Sequence, residues 1–425
     1  MDETAVVTCF LRNRGEVLLL RRSENVGSYA GQWGAVAGHA EGDPDAAARE
    51  EIREETGLDD AVRLVREGDP FPVVDGNLGR RWLVHPYLFD CDRRDAEYND
   101  ETATAEWVPP TAILDRETVP QLWNSYDRVR PRVETVESDR EHGSAYISLR
   151  ALEVLRDESA LAAKGRHRDD ERAERDSDDW AALTALARDL LAARPSMAVV
   201  QNRLNRAVSG ASADATPGAL AQTSQEGIER AVAADEQAAA VAAERLPDRV
   251  ATLSRSGTAL AAIEGADPDS VLVAESRPGR EGIEVAERLA ASAAVTVTTD
   301  AAFAFELAER GVEALVVGAD RVLPDGRVVN KVGTRAAALA AAHAGIDVYV
   351  VAASDKIATD ERIDPEPRED GDVYDGRASL SVANPTFDVT PAEAVDAVLT
   401  ERGALDAAAV REISGEHRQL AAWDR

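Results

Sequence analysis

The chain has 425 residues, 44% of them hydrophobic, which is enough for two or three globular domains with buried cores and excludes a disordered chain. Its formal net charge of −31, from 79 acidic and 48 basic residues, disfavours nucleic acid and anionic membranes as default partners. Only Lys164, Lys331 and Lys356 are lysines. This scarcity, combined with the acidity, predicts a halophilic protein, because concentrated salt screens charge repulsion.

The first residues, MDETAVV, lack the basic and then apolar pattern of a secretion signal. No apolar run approaches the roughly 20 residues that span a bilayer. The two cysteines, Cys9 and Cys91, lie in apolar stretches typical of strands and are too few for a disulfide framework. We therefore expect a cytoplasmic protein with reduced thiols.

Residues 4–110 have the pattern of a compact α+β domain. The segments TAVVTCFLR, EVLLLRR, RWLVHPYLF and TAEWV carry β-branched and aromatic residues between polar turns, which predicts strands. One helix is predicted over residues 45–56, ending at Gly57, a residue type favoured just after helices.

Helical periodicity dominates the middle of the chain. Apolar residues recur at helical spacing in residues 144–163, 180–207 and 225–245. The charge-dense run GRHRDDERAERDSDD, which starts at Gly165, is expected to be a solvated loop. The small-residue stretch SGASADATPG is expected to separate the last two helices.

From Arg249 onward, short apolar strands alternate with helical segments. The strands are SVLVAES, AVTVTTD, ALVVGAD and DVYVVAA. This alternation is typical of an α/β fold with a doubly wound parallel sheet, in which ligands bind at the carboxyl ends of the strands.

The stretch AREEIREETGL, residues 48–58, concentrates carboxylates on the predicted helix. Glu51, Glu54 and Glu55 share one face, because residues three and four apart lie on the same side of a helix. Such hard oxygen ligands suit Mg²⁺ or Mn²⁺, which would relieve their repulsion and bridge to a pyrophosphate. The alternative is a surface helix with pairs such as Glu50 and Arg53, each contributing about 0.2–0.5 kcal/mol.

Together with the strands and loop that precede it, this helix resembles the Nudix box, Gly-x5-Glu-x7-Arg-Glu-U-x-Glu-Glu-x-Gly-U with U aliphatic. The residues that match its second half are Glu51, Ile52, Glu54, Glu55, Gly57 and Leu58. The resemblance extends over residues 4–114 and implies a Nudix α/β/α sandwich in residues 1–125. It also implies metal-dependent hydrolysis of a nucleotide pyrophosphate linkage, of the ADP-ribose or nucleoside triphosphate type, with catalytic and metal-binding roles for Glu51, Glu54 and Glu55.

The first half of the box departs from this pattern. The loop after Gly38 is about two residues short, so Asp43 stands nearest to the usual glutamate. Glu50 takes the place of the usual arginine, and Arg49 is one residue early, which is about 100° around the helix. Weakened, altered and lost catalysis all remain open.

Further candidates lie outside the box. Arg21 and Arg22 are candidate phosphate contacts and Trp33 is a candidate stacking partner for a base, the alternative being solvated arginines and a core tryptophan. Glu101 and Glu106 lie where Nudix relatives often carry another acid, so either is a candidate general base.

The segment of residues 317–356, VGADRVLPDGRVVNKVGTRAAALAAAHAGIDVYVVAASDK, resembles a second family. This family contains the alpha, beta and delta subunits of eukaryotic initiation factor 2B and the isomerases of methylthioribose 1-phosphate and ribose 1,5-bisphosphate. Further matches lie at Arg194-Pro195, ESRP (275–278), Asp300, NPTFDVTP (384–391) and TERG (400–403). The resemblance, which runs from about Val133 to the last residue, implies a helical part over residues 131–245 and a Rossmann-like part over 246–425. Relatives bind sugar phosphates or nucleotides and form homodimers or higher homo-oligomers.

The matched residues lie where a strand–helix alternation places a ligand. Arg277, Asp300 and Asp320 each follow a predicted strand, and Lys331 lies just before a helix start, where backbone N–H groups favour a phosphate. The alternative is a set of internal ion pairs among these four residues. The predicted substrate-binding residues are Arg194, Ser254, Arg277, Asp300, Asn330 and Lys331, and Asp320 is the predicted catalytic residue.

In the isomerase relatives a catalytic cysteine works with an aspartate. The resemblance aligns this cysteine with Ser254, the following asparagine with Arg255, and the aspartate with Asp320. Serine needs a dedicated base to become as reactive as cysteine, and no histidine is adjacent in sequence. The family's Arg-Gly-Ala phosphate element appears only as His142-Gly143-Ser144.

These observations favour a Nudix hydrolase fused to a ligand-sensing domain. The sequence is also compatible with two other functions. One is a non-catalytic regulator that only binds ligands, and the other is a sugar-phosphate isomerase that uses Asp320 without a cysteine.

Overall fold

A computed structural model describes residues 3–40, 42–76, 78–165 and 179–424. The chain divides into two compact units. The N-terminal unit contains Met1–Arg132 and Arg156–Arg168, and the C-terminal unit contains Val133–Leu155 and Asp169–Arg425. Most of the charge-dense run predicted to be a solvated loop lies outside the described residues, and the boundaries at residues 125, 131 and 246 stay predictions.

The N-terminal unit is built on a mixed sheet. Its strands are β1 (Glu3–Asn13), β2 (Glu16–Arg22), β3 (Trp33–Gly34), β4 (Val36–His39), β5 (Val62–Glu67), β6 (Phe71–Asp75), β7 (Arg80–Cys91) and β8 (Thr102–Val108). They follow the order β3-β2-β1-β7-β5, with β4 paired to β1, β6 to β7 and β8 to β2. The central pair, β1 and β7, is parallel.

A helix covers each face of this sheet: α1 (Pro44–Thr56) and α2 (Leu122–Val129). Alternate residues of β1 face opposite sides, as the pleat of a strand requires. Val7 and Leu11 pack in the same core as Ile52 of α1. Phe10 packs edge-on against Tyr126 of α2, with ring centroids 5.2 Å apart. The predicted α/β/α sandwich is therefore confirmed.

Helix α1 begins one residue earlier than predicted and ends where predicted. The Asp43 carboxylate accepts from the backbone N–H of Asp45, and Pro44 occupies the first turn, where its missing N–H costs nothing. Gly57 adopts a left-handed conformation (φ 63°) and donates its N–H to the Arg53 carbonyl. These caps fix the face of α1 that meets the sheet.

The C-terminal unit combines helices with a largely parallel sheet. Its helices are α3 (Val133–Ser138), α4 (Ser144–Ala163, which enters the N-terminal unit at Arg156), α5 (Asp179–Ala193), α6 (Ala198–Ala211), α7 (Pro217–Ala243), α8 (Gly257–Ala266), α9 (Glu281–Leu289), α10 (Asp300–Glu309), α11 (Thr334–Ala344) and α12 (Ala407–Leu420). Its strands are β9 (Arg249–Thr252), β10 (Ser270–Ala274), β11 (Ala294–Thr298), β12 (Ala314–Val317), β13 (Arg321–Val322), β14 (Val328–Lys331), β15 (Asp347–Val351), β16 (Phe387–Thr390), β17 (Ala397–Thr400) and β18 (Gly403–Leu405).

The main sheet has the order β11-β10-β9-β12-β15-β17-β18, and all its pairs are parallel except β17 with β18. The predicted doubly wound α/β fold is confirmed. The chain runs outward from β9 through β10 to β11 and then returns to place β12 on the other side of β9. The carboxyl ends of β9 and β12 therefore form the switch point at which such sheets bind ligands.

Two predicted helices have wrong boundaries. The helix predicted over residues 180–207 is interrupted after Ala193, because Pro195 cannot donate a helical hydrogen bond and disfavours helix at the residue before it. The helix predicted to start at residue 225 starts at Pro217, capped by the Thr216 hydroxyl, which accepts from Ala219 N–H.

Cys9 and Cys91 are buried free thiols on strands, as expected. Among the helices in the described part of the chain, none combines the length and apolar content needed to cross a membrane.

Candidate functional sites

The N-terminal unit contains a cleft of about 380 Å³ beside the second half of α1. One end is acidic, with Glu51, Glu54 and Glu101 beside Arg22. The other end is lined by aromatic and aliphatic groups, which include Tyr29, Val73, Trp82 and Val84. Such a cleft suits a ligand with an anionic group at one end and an apolar ring at the other.

Two glutamates of α1 have perturbed acidities. Burial, reinforced by the neighbouring charge of Glu51, raises the pKa of Glu55 to about 8, although Ala37 N–H donates to its carboxylate. Burial also raises the pKa of Glu51, and the charges of Glu54 and Glu101 add to the effect. Arg22 thus compensates the negative charge of these carboxylates only in part.

The alternative prediction, a surface helix with ion pairs such as Glu50 and Arg53, correctly describes the exposed side of α1. Arg53 Nε donates to Glu50 at 3.1 Å, and Arg53 Nη2 contacts Glu54 at 3.3 Å. Glu54 is half-exposed, whereas Glu55 is only 6% exposed. One helix therefore carries an ion-paired outer face and an acidic inner face.

The carboxylates predicted to converge on one point do not form a complete ligand set. Within residues 3–40, 42–76, 78–165 and 179–424, no group of three His, Cys, Asp or Glu side chains is arranged to hold a metal. The donors nevertheless fit Mg²⁺ or Mn²⁺ in chemistry, because Glu51 and Glu55 are carboxylates whose burial and mutual repulsion a cation would offset.

Only one of the three other predicted substrate contacts of this unit lines the cleft. Arg22 lines the cleft and donates to the Ser28 carbonyl at 3.0 Å. Arg21 is exposed and bonds the Gly31 carbonyl, and neither Arg21 nor Trp33 is among the residues that line the cleft. The Trp33 ring is covered instead by the guanidinium of Arg116, 4.2 Å from its centroid.

Of the two candidate bases, Glu101 lines the cleft and Glu106 is paired with Arg116 at 2.5 Å. The structure therefore favours Glu101.

The sequence reasoning missed the aromatic end of the cleft. Trp82 is 8% exposed, with the Arg80 guanidinium 5.4 Å from its ring centroid. Tyr29 donates its hydroxyl to Asp75 at 2.8 Å. No motif marks these residues, although the alternating pattern of RWLVHPYLF does place Trp82 on one face of a strand.

In the C-terminal unit the chain places Ser254 just after β9 and Asp320 just after β12, at the switch point of the sheet. Ser254 has a left-handed backbone (φ 63°), a conformation that non-glycine residues adopt rarely and often at functional sites. Its N–H donates to Ser276 Oγ at 2.6 Å. The predicted catalytic residue Asp320 and the predicted substrate-binding residue Ser254 thus follow the two strands that meet at the switch point.

Asp300 has a positioning role. Its carboxylate accepts from the backbone N–H groups of Ser276 at 2.8 Å and Arg277 at 2.6 Å. Asp300 therefore holds the turn that carries Arg277, in place of the ion pair that the alternative interpretation proposed.

The helix start near Lys331 differs from the prediction of a vacant phosphate cradle. The Asp388 carboxylate accepts from the N–H groups of Gly333 at 2.8 Å and Arg335 at 3.1 Å, so a side chain of the protein fills this position. Lys331 donates to Glu281, and Asn330 donates to Thr334 Oγ1 at 3.0 Å.

Arg194 is buried and anchors a loop. Its Nε donates to the Val136 carbonyl at 2.8 Å, and its Nη2 donates to the Asp139 carbonyl. His142 Nδ1 lies 2.8 Å from Asp139, and this contact and nearby N–H groups lower the pKa of Asp139 to about 2, although burial raises it. Arg255 also donates to this loop, at the Glu141 carbonyl, so the loop lies beside the segment that carries Ser254.

Lys356 is a further residue that the sequence reasoning missed. Its ammonium is buried and donates to the Ala319 carbonyl. Burial lowers its pKa, and the charge of nearby Asp320 opposes that change. The scarcity of lysine in this chain could have drawn attention to it.

Comparison with known proteins identifies both parts of the chain. Residues 140–407 match the profile of the initiation factor 2 subunit family, and residues 1–129 match that of the NUDIX domain. The chain belongs to the initiation factor 2 subunit family and carries a NUDIX domain in its N-terminal part.

Among similar proteins, the ribose 1,5-bisphosphate isomerase of Haloferax volcanii is 30% identical over 313 residues, which cover 68% of this chain and 95% of the relative. The methylthioribose-1-phosphate isomerase of Stutzerimonas stutzeri is 37% identical over 167 residues, or 35% of this chain. The chain spans 46% of that relative, about half its length. The crystal structure of translation initiation factor eIF-2B from Pyrococcus horikoshii OT3 is 25% identical, with a TM-score of 0.54 over 64% of this chain and 94% of that chain.

Proposed function

We propose that the N-terminal domain hydrolyses a pyrophosphate linkage in a nucleotide such as ADP-ribose or a nucleoside triphosphate. The observation that carries this proposal is the cleft whose acidic end is formed by Glu51, Glu54 and Glu101 and whose other end is aromatic. A bound Mg²⁺ or Mn²⁺, held by Glu51, Glu54 and Glu55, would neutralise phosphate charge and acidify water.

The chain's own groups account for binding and proton transfer. Arg22, which lines the cleft, would bind a phosphate oxygen, and Tyr29 and Trp82, which also line it, would receive a base. Glu101 is the candidate that accepts the proton of the attacking water, because it lies in the cleft and Glu106 does not.

A hydrolysis screen over ADP-ribose and nucleoside triphosphates with Mg²⁺, in molar KCl, tests this function. We expect Glu54→Gln and Glu55→Gln to reduce turnover by at least about tenfold. Glu50→Gln is the matched control, because Glu50 lies on the outer face of α1 and pairs with Arg53. Absence of metal-dependent turnover for every substrate would instead favour the non-catalytic regulator.

For the C-terminal domain we propose a sugar-phosphate or nucleotide site at the switch point, with Arg194, Ser254, Arg277, Asp300, Asn330 and Lys331 binding or positioning the ligand. The similarity to isomerases supports a second candidate activity, aldose–ketose isomerisation in which Asp320 moves a proton. Ser254 in place of a cysteine makes this activity weaker, because serine is much less acidic.

An isomerase assay with ribose 1,5-bisphosphate separates the two possibilities for this domain. Conversion that disappears in Asp320→Asn supports catalysis, whereas binding without conversion supports a sensor. We also propose that the domain forms a homodimer or higher homo-oligomer, and light scattering in molar KCl tests that assembly.

A further inference from the structure

The segment between β15 and β16 contains an extended surface loop, residues 359–386, which we call the strap. Its base is closed by hydrogen bonds from Thr386 N–H to the Pro365 carbonyl and from Arg368 N–H to the Asn384 carbonyl, both 2.9 Å. Beyond this base, Val373 and Leu380 are about 60% exposed. The strap is thus attached to the domain mainly through the residues at its base.

One strap carboxylate contacts a residue two positions from Arg194, a predicted ligand-binding residue. The Ser196 hydroxyl donates to Glu366 Oε1, although 170 residues separate the two in sequence. Glu366 has a left-handed backbone (φ 43°), which is strained for a non-glycine residue and persists only where surrounding contacts hold it. Its charge also reaches the buried guanidinium of Arg194, two residues before Ser196.

A second strap residue, Arg368, is linked to Lys331 through a shared carboxylate. Arg368 Nη1 lies 3.4 Å from Glu281 Oε1, the same oxygen to which Lys331 donates. The carboxylate of Glu281 is buried, and the charges of Lys331 and Arg368 help to lower its pKa in spite of that burial. The charge of Glu366 thus acts on Arg194, although the hydrogen bonds of Arg194 go to backbone carbonyls. Lys331 is paired with Glu281, to which the strap is bound.

We propose that the strap is an intramolecular competitor of the C-terminal ligand site, in which Glu366 occupies the position of an anionic group of the ligand. This inference rests on the sugar-phosphate site proposed above. A sugar phosphate that binds Arg194 and Ser196 must displace Glu366. If the ligand also binds Lys331, Glu281 loses that partner and keeps its pair with Arg368. Ligand binding then frees the strap from Ser196, while Arg368 stays paired with Glu281.

The apparent affinity equals the intrinsic affinity multiplied by the fraction of molecules in which Glu366 is absent from the site. Removing its charge while keeping its size should therefore tighten binding. We expect Glu366→Gln to bind ribose 1,5-bisphosphate about five- to tenfold more tightly than wild type, in full-length protein in molar KCl. Glu361→Gln removes the same charge from an exposed strap position that faces Arg327 at 3.5 Å, and should leave the affinity unchanged.

Hydrogen exchange provides a second measurement on the wild-type protein, so the test does not depend on the variant folding. Strap amides should exchange faster when ribose 1,5-bisphosphate is added. Slower exchange would show a lid that closes over the ligand and would overturn the proposal. Equal affinities of wild type and Glu366→Gln would overturn the competitor alone, whereas no binding to either protein would overturn the ligand site and the competitor together.

Discussion

The carboxylate of Glu51 lies directly against the Cα atom of Gly38. A Cβ atom built on Gly38 would be 1.7 Å from Glu51 Oε1, far inside any real contact. The opening glycine of the box therefore has a steric function: it leaves the space into which α1 projects the carboxylate of Glu51. Gly38 has no left-handed backbone, so the requirement is for space and not for unusual dihedral angles.

Gly38→Ala should reduce metal-dependent hydrolysis by at least about tenfold while lowering the free energy of unfolding by less than about 1 kcal/mol. The reason is that the obstructing group is the end of a flexible side chain, so Glu51 can rotate away without disturbing the sheet. Kinetics and urea denaturation measure the two effects. Gly76→Ala is the control, since nothing lies within 4 Å of its added Cβ; a Gly38→Ala protein with full activity would contradict the assignment of Glu51.

Arg80 and Arg81 are neighbours on β7 with different surroundings. Arg80 lines the cleft above Trp82, whereas Arg81 pairs with Glu3 at 2.8 Å. We expect Arg80→Met to raise KM for a nucleotide substrate about five- to tenfold with little change in kcat, because it removes a contact that substrate and transition state share. Arg81→Met should change neither, and equal effects of the two substitutions would show that only net charge matters.

The features of the fold that could be predicted are those set by residues close together in sequence. The end of α1 at Gly57 and the parallel strands of the C-terminal sheet follow from capping chemistry and short-range periodicity. Even the two wrong helix boundaries had local signals, since Pro195 breaks a helix and Thr216-Pro217 is a typical helix start.

The contacts that define the sites could not be predicted in this way, because they join residues far apart in sequence. Asp388 fills the start of a helix that begins 54 residues earlier, and Glu366 reaches Ser196 across 170 residues. A single sequence contains no spacing rule for such pairs, so a helix start predicted to bind phosphate was found to hold a carboxylate. Motif residues could be predicted, but their partners could not.

Asp388 caps the helix start at which the sequence predicted phosphate binding, and removing this cap tests whether the position can bind an anion. Asp388→Ala should lower the free energy of unfolding by about 1–2 kcal/mol, because the N–H groups of Gly333 and Arg335 lose their acceptor. Inorganic phosphate should restore part of that stability, since an anion can then bind the vacated helix start. Asp406→Ala removes a comparable cap from α12, and phosphate rescue of both variants equally would indicate a general salt effect.

Asp355 holds the interior of the C-terminal unit through two arginines. It accepts from Arg203 at 3.1 Å and Arg206 at 2.5 Å, and Asp355 and Arg203 are both almost fully buried. Although burial alone would raise it, these charges lower the pKa of Asp355 to about 2. Asp355→Asn removes the carboxylate charge from the partly buried Arg206 and leaves the buried Arg203 with Asp235 alone. It should cost about 3–5 kcal/mol at pH 7.

The depressed pKa of Asp355 also predicts how this cost depends on pH. In the unfolded chain the group titrates near 3.8, so its contribution is fully present above that pH and is lost as the pH falls toward 2. The difference between wild type and Asp355→Asn should therefore narrow by about 2 kcal/mol between pH 5 and pH 2 in urea titrations at constant high salt. Asp325→Asn, at a partly exposed pair with Arg327, should show little difference at any pH. A pH-independent cost of Asp355→Asn would mean that packing, and not the charge of the carboxylate, accounts for its effect.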